Sequence, residues 1–136
     1  MRALILVDIQ NDFVSGSLAV ENAVEVVPVA NQLLRQFELV VATQDWHPAD
    51  HGSFASQNPG VEAGEQFELG GLPQTAWPDH CIENTTGAQF VEQLDARHSR
   101  MYFAKGPTER LTATAAFLTT TNGRPQAWET FSNQNR

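Results

Sequence analysis

Asp45 and His47 form an Asp-x-His pair directly after an apolar run, and a second histidine, His80, occurs later in the segment Trp-Pro-Asp-His-Cys. Two imidazoles and one carboxylate are a common ligand set for a divalent transition metal and leave coordination positions open for water or a substrate. On spacing alone, solvated loop residues are an equally good interpretation. The neighbouring Trp46 and Trp77, whose rings could exclude water, favour the metal site.

Three other residues near this pattern carry weaker signals. His51 could be a fourth ligand, but we expect it to lie beside the ligands rather than among them. His98 stands among charged residues, which favours the protein surface. Cys81 directly follows His80, and we interpret it as a small buried residue rather than a nucleophile, because no general base is identifiable beside it.

Three continuous apolar runs predict strands that are buried on both faces of a parallel sheet. They cover residues 4–7, 39–43 and 101–104. A long segment with many Gly and Pro residues, 48–78, exceeds the length of an ordinary connection, so we expect it to be functional.

Apolar residues at helical spacing predict two helices between these strands. The first begins at Pro28, which suits the start of a helix, and its apolar positions are Val29, Leu33, Leu34 and Phe37. The second covers residues 88–95. Alternating strands and helices are typical of an α/β fold, here a three-layer, doubly wound parallel sheet that is incomplete.

Chemically useful side chains follow the carboxyl end of each predicted strand, namely Asp8, Asp45 with His47, and Lys105. In doubly wound folds, ligands bind in the crevice outside these strand ends. We therefore expect the three groups to face one crevice. The alternative for Asp8 is a carboxylate that caps a helix or pins a loop, and Lys105 either extends to solvent or faces a carboxylate.

The bulk properties exclude several classes of protein. A chain of 136 residues suits one domain, and its net charge of −8 disfavours nucleic acid or an anionic membrane as a partner. No apolar run approaches a membrane span, and the N-terminus lacks the features of a signal peptide. A single cysteine excludes an intrachain disulfide and suits a reducing, cytoplasmic location.

Four ordered motifs make the first 106 residues specific for one family. They are Val-Asp-Ile-Gln-Asn-Asp-Phe (7–13), Gln-Asp-Trp-His-Pro-Ala-Asp-His-Gly-Ser-Phe-Ala (44–55), Leu-Pro-Gln-Thr-Ala-Trp-Pro-Asp-His-Cys (72–81) and Lys-Gly (105–106). In these the chain resembles the bacterial nicotinamidases, which also hydrolyse pyrazinamide and belong to the isochorismatase-like cysteine hydrolases.

The resemblance implies a role for each matching residue. Asp45, His47 and His80 would hold zinc, iron or manganese, which binds the ring nitrogen of nicotinamide. Phe13 and Trp77 would flank the pyridine ring. Asp8 would be the general base that takes a proton from a cysteine thiol, with Lys105 as the cation beside it.

The chain departs from this family after Gly106. The family's nucleophilic cysteine lies far downstream, and Cys81 matches the non-catalytic cysteine after the metal histidine. The family continues with a segment like Ile-Asp-Ser-Tyr-Ser-x-Phe-Phe-Asp. In this chain, joining the third base of each codon to the first two of the next permits Asp-Ser-Tyr-Ser-Gly-Phe-Phe-Asp over residues 111–119.

We therefore divide the chain into an N-terminal part of a nicotinamidase-like domain, residues 1–106, and an aberrant tail, residues 107–136, with a shifted reading frame. We expect an inactive, truncated hydrolase with exposed apolar surface. The alternatives are a metal-binding remnant without catalysis, and a related hydrolase of another small amide. The metal and the oligomeric state stay open at this point.

Overall fold

The computed structural model describes residues 2–95, 101–105, 115–121 and 124–125. Two short 3-10 turns, Ala23–Glu25 and Ala55–Gln57, supplement the helices and strands. The helices and strands in chain order are β1 (Ala3–Val7), α1 (Asn11–Val14), α2 (Val26–Leu34), β2 (Leu39–Asp45), β3 (Gln66–Leu69), β4 (Leu72–Thr75), β5 (Met101–Lys105), β6 (Ala115–Thr121) and β7 (Arg124–Pro125).

One five-stranded sheet, in the order β1-β2-β5-β6-β7, organises the chain. The first three strands are parallel, so the expectation of an α/β fold with a parallel sheet is confirmed, and the sheet is incomplete. The three predicted strands lie where the apolar runs placed them. β1 begins one residue earlier, at Ala3, while β2 and β5 continue two residues and one residue further because pairing between them extends to Asp45 and Lys105.

The sheet also contains β6 and β7, two strands from the tail, residues 107–136. β6 runs antiparallel to β5, with Met101 opposite Thr119 and Lys105 opposite Ala115. Its β-branched threonines suit an extended conformation, and its backbone pairs with an edge of β5 that would otherwise lack partners. Apart from β6 and β7, the residues of the tail lie outside the described part of the chain.

α2 packs its buried residues Val27, Ala30 and Leu34 against one face of the sheet. It begins two residues before Pro28. The proline is tolerated because the first N–H groups of a helix have no partner inside the helix. The prediction that Val29 lies on the apolar face is wrong, since its side chain is 53% exposed.

The prediction of a second helix over residues 88–95 is also wrong, since this segment consists of turns. Phe90 forms a β-bridge with Gln10, and the N–H of Val91 donates to the carbonyl of Ile9. These bonds to another segment compete with the bonds that a helix would make within itself. Val91 and Leu94 are nevertheless buried in the core, as their apolar character required.

β1 is buried on one face only, which corrects the expectation of burial on both. Leu6 is 5% exposed, whereas Ile5 and Val7 on the opposite face are both 62% exposed. They line an open apolar groove together with Val26 and Val29 of α2. Among the described residues, no second helical layer covers this face. The expected exposure of apolar surface is therefore present.

The long segment 48–78 contains a β-hairpin that we did not predict. β3 and β4 pair antiparallel through the turn at Gly70 and Gly71, whose φ angles are +60° and +86°. Two consecutive positive φ angles are typical of the type I′ turn that closes a two-residue hairpin, and glycine adopts them without strain. Within the described residues, no helix has the length and apolar character that crossing a bilayer requires.

Candidate metal centre

The ends of three parallel strands bring the predicted site residues to one edge of the sheet. Asp8 follows the last residue of β1, Asp45 is the last residue of β2, and the backbone of Lys105 is the register partner of Asp45 on β5. Because parallel strands end on the same side, their following residues share that edge. The backbone placement is therefore the one that the strand pattern predicts.

Asp45, His47 and His80 converge on one point at this edge. Nε2 of His47 lies 2.9 Å and Nε2 of His80 lies 3.5 Å from the same carboxylate oxygen, Oδ2 of Asp45. One candidate ligand atom from each residue lies within 4.8 Å of the others. Residues 35 positions apart in the chain have thus been brought to the spacing of a single coordination sphere.

The ring of His80 is fixed in the orientation that a metal ligand needs. Its Nδ1 donates a hydrogen bond to the carbonyl oxygen of Pro78 at 2.7 Å. A proton on Nδ1 leaves the lone pair of the neutral ring on Nε2, the atom that faces Asp45. Hydrogen bonding of the second ring nitrogen to a carbonyl is the usual way in which proteins orient metal-binding histidines.

These residues fit a divalent transition metal. The set of one carboxylate and two imidazoles matches the ligand chemistry of zinc, iron and manganese. Nδ1 of His47 is buried without a hydrogen-bond partner in the described part of the chain. The ring is instead held by the contact of its Nε2 with Oδ2 of Asp45. A cation bound between these atoms would neutralise the negative charge of the Asp45 carboxylate.

His80 in the centre and His51 beside it have pKa values that shift in opposite directions. For His80, burial lowers the pKa, but hydrogen bonds to Asp45 and to the carbonyl of Pro78 outweigh burial, so the pKa lies above the ordinary value of 6.5. For His51, burial and the neighbouring His47 hold the pKa below that value.

His51 lies beside the centre rather than in it, as we expected. Its ring centroid is 4.3 Å from that of His47, but its Nδ1 is bonded to the Ser53 hydroxyl at 2.8 Å. Among the described residues, the ligand group contains only Asp45, His47 and His80. The expected surface position of His98 falls outside the described residues.

Phe54 is a residue of the site that sequence reasoning missed. Its side chain is 0% exposed, and its ring lies 5.4 to 5.5 Å from the rings of His47, His51 and His80. It gives the centre an apolar surface against which the three imidazole rings pack. The available signal was its place in the motif 44–55, in which only charged and imidazole side chains had been given roles.

Asp8 adopts a left-handed backbone conformation, with φ of +53°, at the point where β1 ends. Its Oδ1 accepts a hydrogen bond from the Thr43 hydroxyl at 2.6 Å, and its N–H donates to the Thr43 carbonyl. This conformation is uncommon for a residue other than glycine and is often found where a site requires it. The carboxylate is held at the strand end by β2.

The two aromatic residues with an expected substrate role lie near the centre in different ways. The ring of Phe13 is 5.6 Å from that of His80. Trp77 is 40% exposed, and its backbone forms an isolated β-bridge with Phe54. The Cys81 side chain is 0% exposed, which agrees with our interpretation of this cysteine as buried.

Known proteins similar to this chain share both its sequence pattern and its fold. The nicotinamidase of Escherichia coli (strain K12) is 48% identical over 130 residues, covering 92% of this chain and 60% of that protein. The Acinetobacter baumanii nicotinamidase pyrazinamidease structure superposes with a TM-score of 0.73 at 44% identity, over 77% of this chain and 51% of that one.

A third similar structure is the pyrazinamidase of Pyrococcus horikoshii in complex with zinc, with a TM-score of 0.60 and 34% identity. The match covers 82% of this chain and 55% of that one. This chain thus spans between half and three fifths of the length of the proteins it matches. The family model of the isochorismatase domain matches residues 2–116. On this match and on the shared fold, the chain belongs to the isochorismatase domain family.

Proposed function

We propose that the chain is the metal-binding part of a nicotinamidase, an amidohydrolase that converts nicotinamide to nicotinate and ammonia and also accepts pyrazinamide. The observation that carries the proposal is the convergence of Asp45, His47 and His80 on one point at the carboxyl edge of the sheet. The names of similar proteins from bacteria support the substrate class.

Asp45, His47 and His80 would hold the metal, and the zinc complex of the Pyrococcus relative supports zinc as one candidate beside iron and manganese. A bound divalent metal would supply Lewis-acid chemistry, binding the pyridine nitrogen and keeping the amide in a fixed orientation. The Nδ1 bond from His80 to Pro78 keeps Nε2 available as a ligand. The Phe54 ring packs against the imidazole rings.

The remaining site residues would serve the acyl transfer. Phe13 and Trp77 would flank the ring of the substrate. Asp8 would take the proton of a cysteine thiol, with the Lys105 ammonium nearby stabilising the resulting charges. The thiolate would attack the carboxamide carbon, and the amide nitrogen would leave as ammonia with a proton from the Asp8 carboxyl. Water would then hydrolyse the resulting thioester and release nicotinate.

Cys81 does not suit the role of this nucleophile. Its side chain is fully buried. Its backbone N–H donates to Asp12, and its carbonyl accepts from the N–H of His47. It is also the one cysteine among the 136 residues. We therefore expect these 136 residues to release ammonia from nicotinamide at a negligible rate.

A chimera tests the proposed function directly. Residues 1–106 of this chain are joined to the segment of the Escherichia coli nicotinamidase that follows the position matching Gly106, and ammonia release from nicotinamide and pyrazinamide is measured. We expect metal-dependent turnover of both, and loss of turnover in the same chimera with His80→Ala. A folded, metal-loaded chimera without turnover would favour the alternative of a metal-binding protein with no catalytic role.

The same proposal includes a small molecule as partner, with no role for nucleic acid or a membrane, and a cytoplasmic location. The acidic charge and the single cysteine support these assignments.

A further inference from the structure

The segment from Gln10 to Asp12 contacts two parts of the metal centre that are far apart in the chain. Gln10 contacts Asp45, 35 residues away, and Asp12 contacts Cys81, 69 residues away. Neither side chain belongs to the group of candidate ligand atoms. Each contact is made to the backbone of a candidate metal-binding segment, so each bears on where a ligand is placed.

The side chain of Gln10 replaces a missing strand neighbour of Asp45. β1 and β2 pair in register only as far as Val7 and Thr43, because the left-handed turn at Asp8 ends β1 there. Asp45 therefore extends past the end of β1. The Gln10 amide fills this gap: its Oε1 accepts from the N–H of Asp45 at 2.7 Å, and its Nε2 donates to the Asp45 carbonyl at 2.8 Å.

Burial makes these bonds to Gln10 strong determinants of position. The Gln10 side chain is 0% exposed, and its second amide hydrogen is donated to the carbonyl of Ala88 at 2.7 Å. Water cannot reach this buried position to replace the Gln10 amide. Movement of the Asp45 backbone would therefore leave buried polar groups without hydrogen bonds, which is energetically unfavourable. The strand end that carries the carboxylate ligand is thus fixed from both sides, by Gln10 and by β5.

Asp12 holds the segment of the histidine ligands in a corresponding way. Its Oδ2 accepts a hydrogen bond from the N–H of Cys81 at 2.7 Å, and Cys81 has a left-handed φ of +46° directly after His80. The Cys81 carbonyl in turn accepts from the N–H of His47 at 2.9 Å. The carboxylate of Asp12 therefore stabilises an uncommon backbone turn on which both histidine ligands depend.

Gly87 supplies the space that the Asp12 carboxylate occupies. A Cβ atom at Gly87 would collide with Oδ2 of Asp12, the oxygen that binds Cys81. The N–H of Asp12 also donates to the carbonyl of Gly87. A side chain at position 87 would displace the carboxylate while leaving Asp12 itself unchanged.

We propose that Gln10 and Asp12 are positioning residues of the metal centre, which set the spacing of Asp45, His47 and His80 by fixing the backbones that carry them. This inference rests on the metal site of the proposed function. It predicts that loss of either side chain weakens metal binding by the folded chain, with no ligand removed. Partners that orient metal ligands typically change metal affinity by about 10- to 100-fold.

The test measures Co²⁺ and Zn²⁺ affinity and the Co²⁺ d–d absorption spectrum of the full 136-residue chain. Gln10→Met keeps the length of the side chain and removes its hydrogen bonds, and Asp12→Ala removes the carboxylate. We expect about 10- to 100-fold weaker binding and an altered spectrum for both. Asp12→Asn keeps an oxygen that can accept from Cys81, so its affinity is expected within about threefold of the parent chain by the same scale.

Asn31 provides a matched control away from the centre. Its side chain also holds a distant backbone with two bonds, from the N–H of Asp95 and to the carbonyl of Gln93, both at 2.8 Å. Asn31→Ala removes the same kind of contact, so it is expected to lower thermal stability and leave metal affinity and spectrum unchanged. Gly87→Ala is expected to weaken binding as Asp12→Ala does.

Affinities are compared at temperatures at which far-UV circular dichroism shows that each variant is folded. If the variants at one of the two positions, Gln10 or Asp12, do not fold, the inference is tested at the other position. Parent-like affinity and spectrum in folded Gln10→Met would overturn the positioning role of Gln10. The same result in both folded Asp12→Ala and folded Gly87→Ala would overturn the positioning role of Asp12. In either case the metal site itself would stand. A parent chain that binds neither metal would overturn both the site and the inference.

Discussion

Nδ1 of His80 lies 2.7 Å from the carbonyl oxygen of Pro78, and this one bond selects which ring nitrogen faces Asp45. The acceptor is a backbone atom two residues away, so the orientation of the ring is built into the Trp-Pro-Asp-His segment. A preoriented imidazole loses little rotational freedom when it binds a cation. Among the three candidate ligands, His80 is therefore the one whose ring orientation is fixed by a backbone hydrogen bond.

Replacing His80 with alanine is expected to weaken Zn²⁺ binding by more than about 100-fold, since it removes a ligand and not only a residue that orients one. His51→Ala is the matched control, because His51 is bonded to Ser53 and lies outside the ligand group. Its loss is expected to cost less than about 10-fold. Isothermal titration calorimetry of the two variants measures the difference. Equal losses would contradict the assignment of His80 as a ligand.

The opposite pKa shifts of His80 and His51 predict a pH dependence for the metal-free chain. The pKa of His80 is raised, so its protonation stabilises the fold below pH 6.5, and this contribution is lost as pH rises through the higher folded pKa. The pKa of His51 is lowered, so its contribution is present above pH 6.5 and is lost as pH falls through the lower folded pKa.

Nuclear magnetic resonance titration of the imidazole signals checks this order. The His80 resonance is expected to titrate above 6.5 and the His51 resonance below it. The chain has four histidines, so His51→Gln and His80→Gln, which each remove one signal, assign the two resonances. A His51 ring that titrates at the higher pH would show that the electrostatic description of the centre is wrong.

The exposed face of β1 predicts a difference between two neighbouring residues. Ile5→Thr is expected to change the free energy of unfolding by less than about 0.5 kcal/mol, because the side chain is largely in solvent. Leu6→Ala is expected to lower it by about 2–5 kcal/mol, because Leu6 is buried in the core. Urea denaturation measures both values.

Ile5→Thr together with Val7→Thr is also expected to reduce the binding of a hydrophobic dye and the self-association of the chain, since both residues line the open apolar groove. Dye fluorescence and sedimentation velocity report these changes. Unchanged self-association in the double variant would show that the chain associates through a surface other than this groove.

The hypothesis of a shifted reading frame over residues 107–136 makes a prediction that needs no protein. The gene, read from the codon after Lys105 in the shifted frame, is expected to encode Asp-Ser-Tyr-Ser-Gly-Phe-Phe-Asp over the codons of residues 111–119, followed by further family sequence. A shifted frame that matches the family at none of these positions would end the hypothesis.

The sequence predicted those site residues whose role can be recognised from neighbouring residues in the chain, and it missed those whose role depends on contacts with distant segments. The β2 strand and the residues at its end, Asp45 and His47, were identified because apolar runs and ligand chemistry are visible in neighbouring residues. Asp8 was identified in the same way, as the residue that follows the apolar run of β1, and His80 by its imidazole ligand chemistry, whereas the role of Asp8 as a base came from the family resemblance. Gln10 lies in the motif 7–13 but received no role, because its contact with Asp45 depends on β1 ending two residues earlier than β2.

The sequence by itself determined the parallel strands, the identity of the candidate ligands and the family, because these depend on residue type and short-range periodicity. Only the tertiary structure shows that residues 88–95 do not form a helix, since their backbone hydrogen bonds include bonds to Ile9 and Asn11. It also decided that Ile5 is exposed and Gln10 buried. Such outcomes depend on which distant segments come into contact, and a hydrogen bond across 35 residues leaves no trace in local residue order.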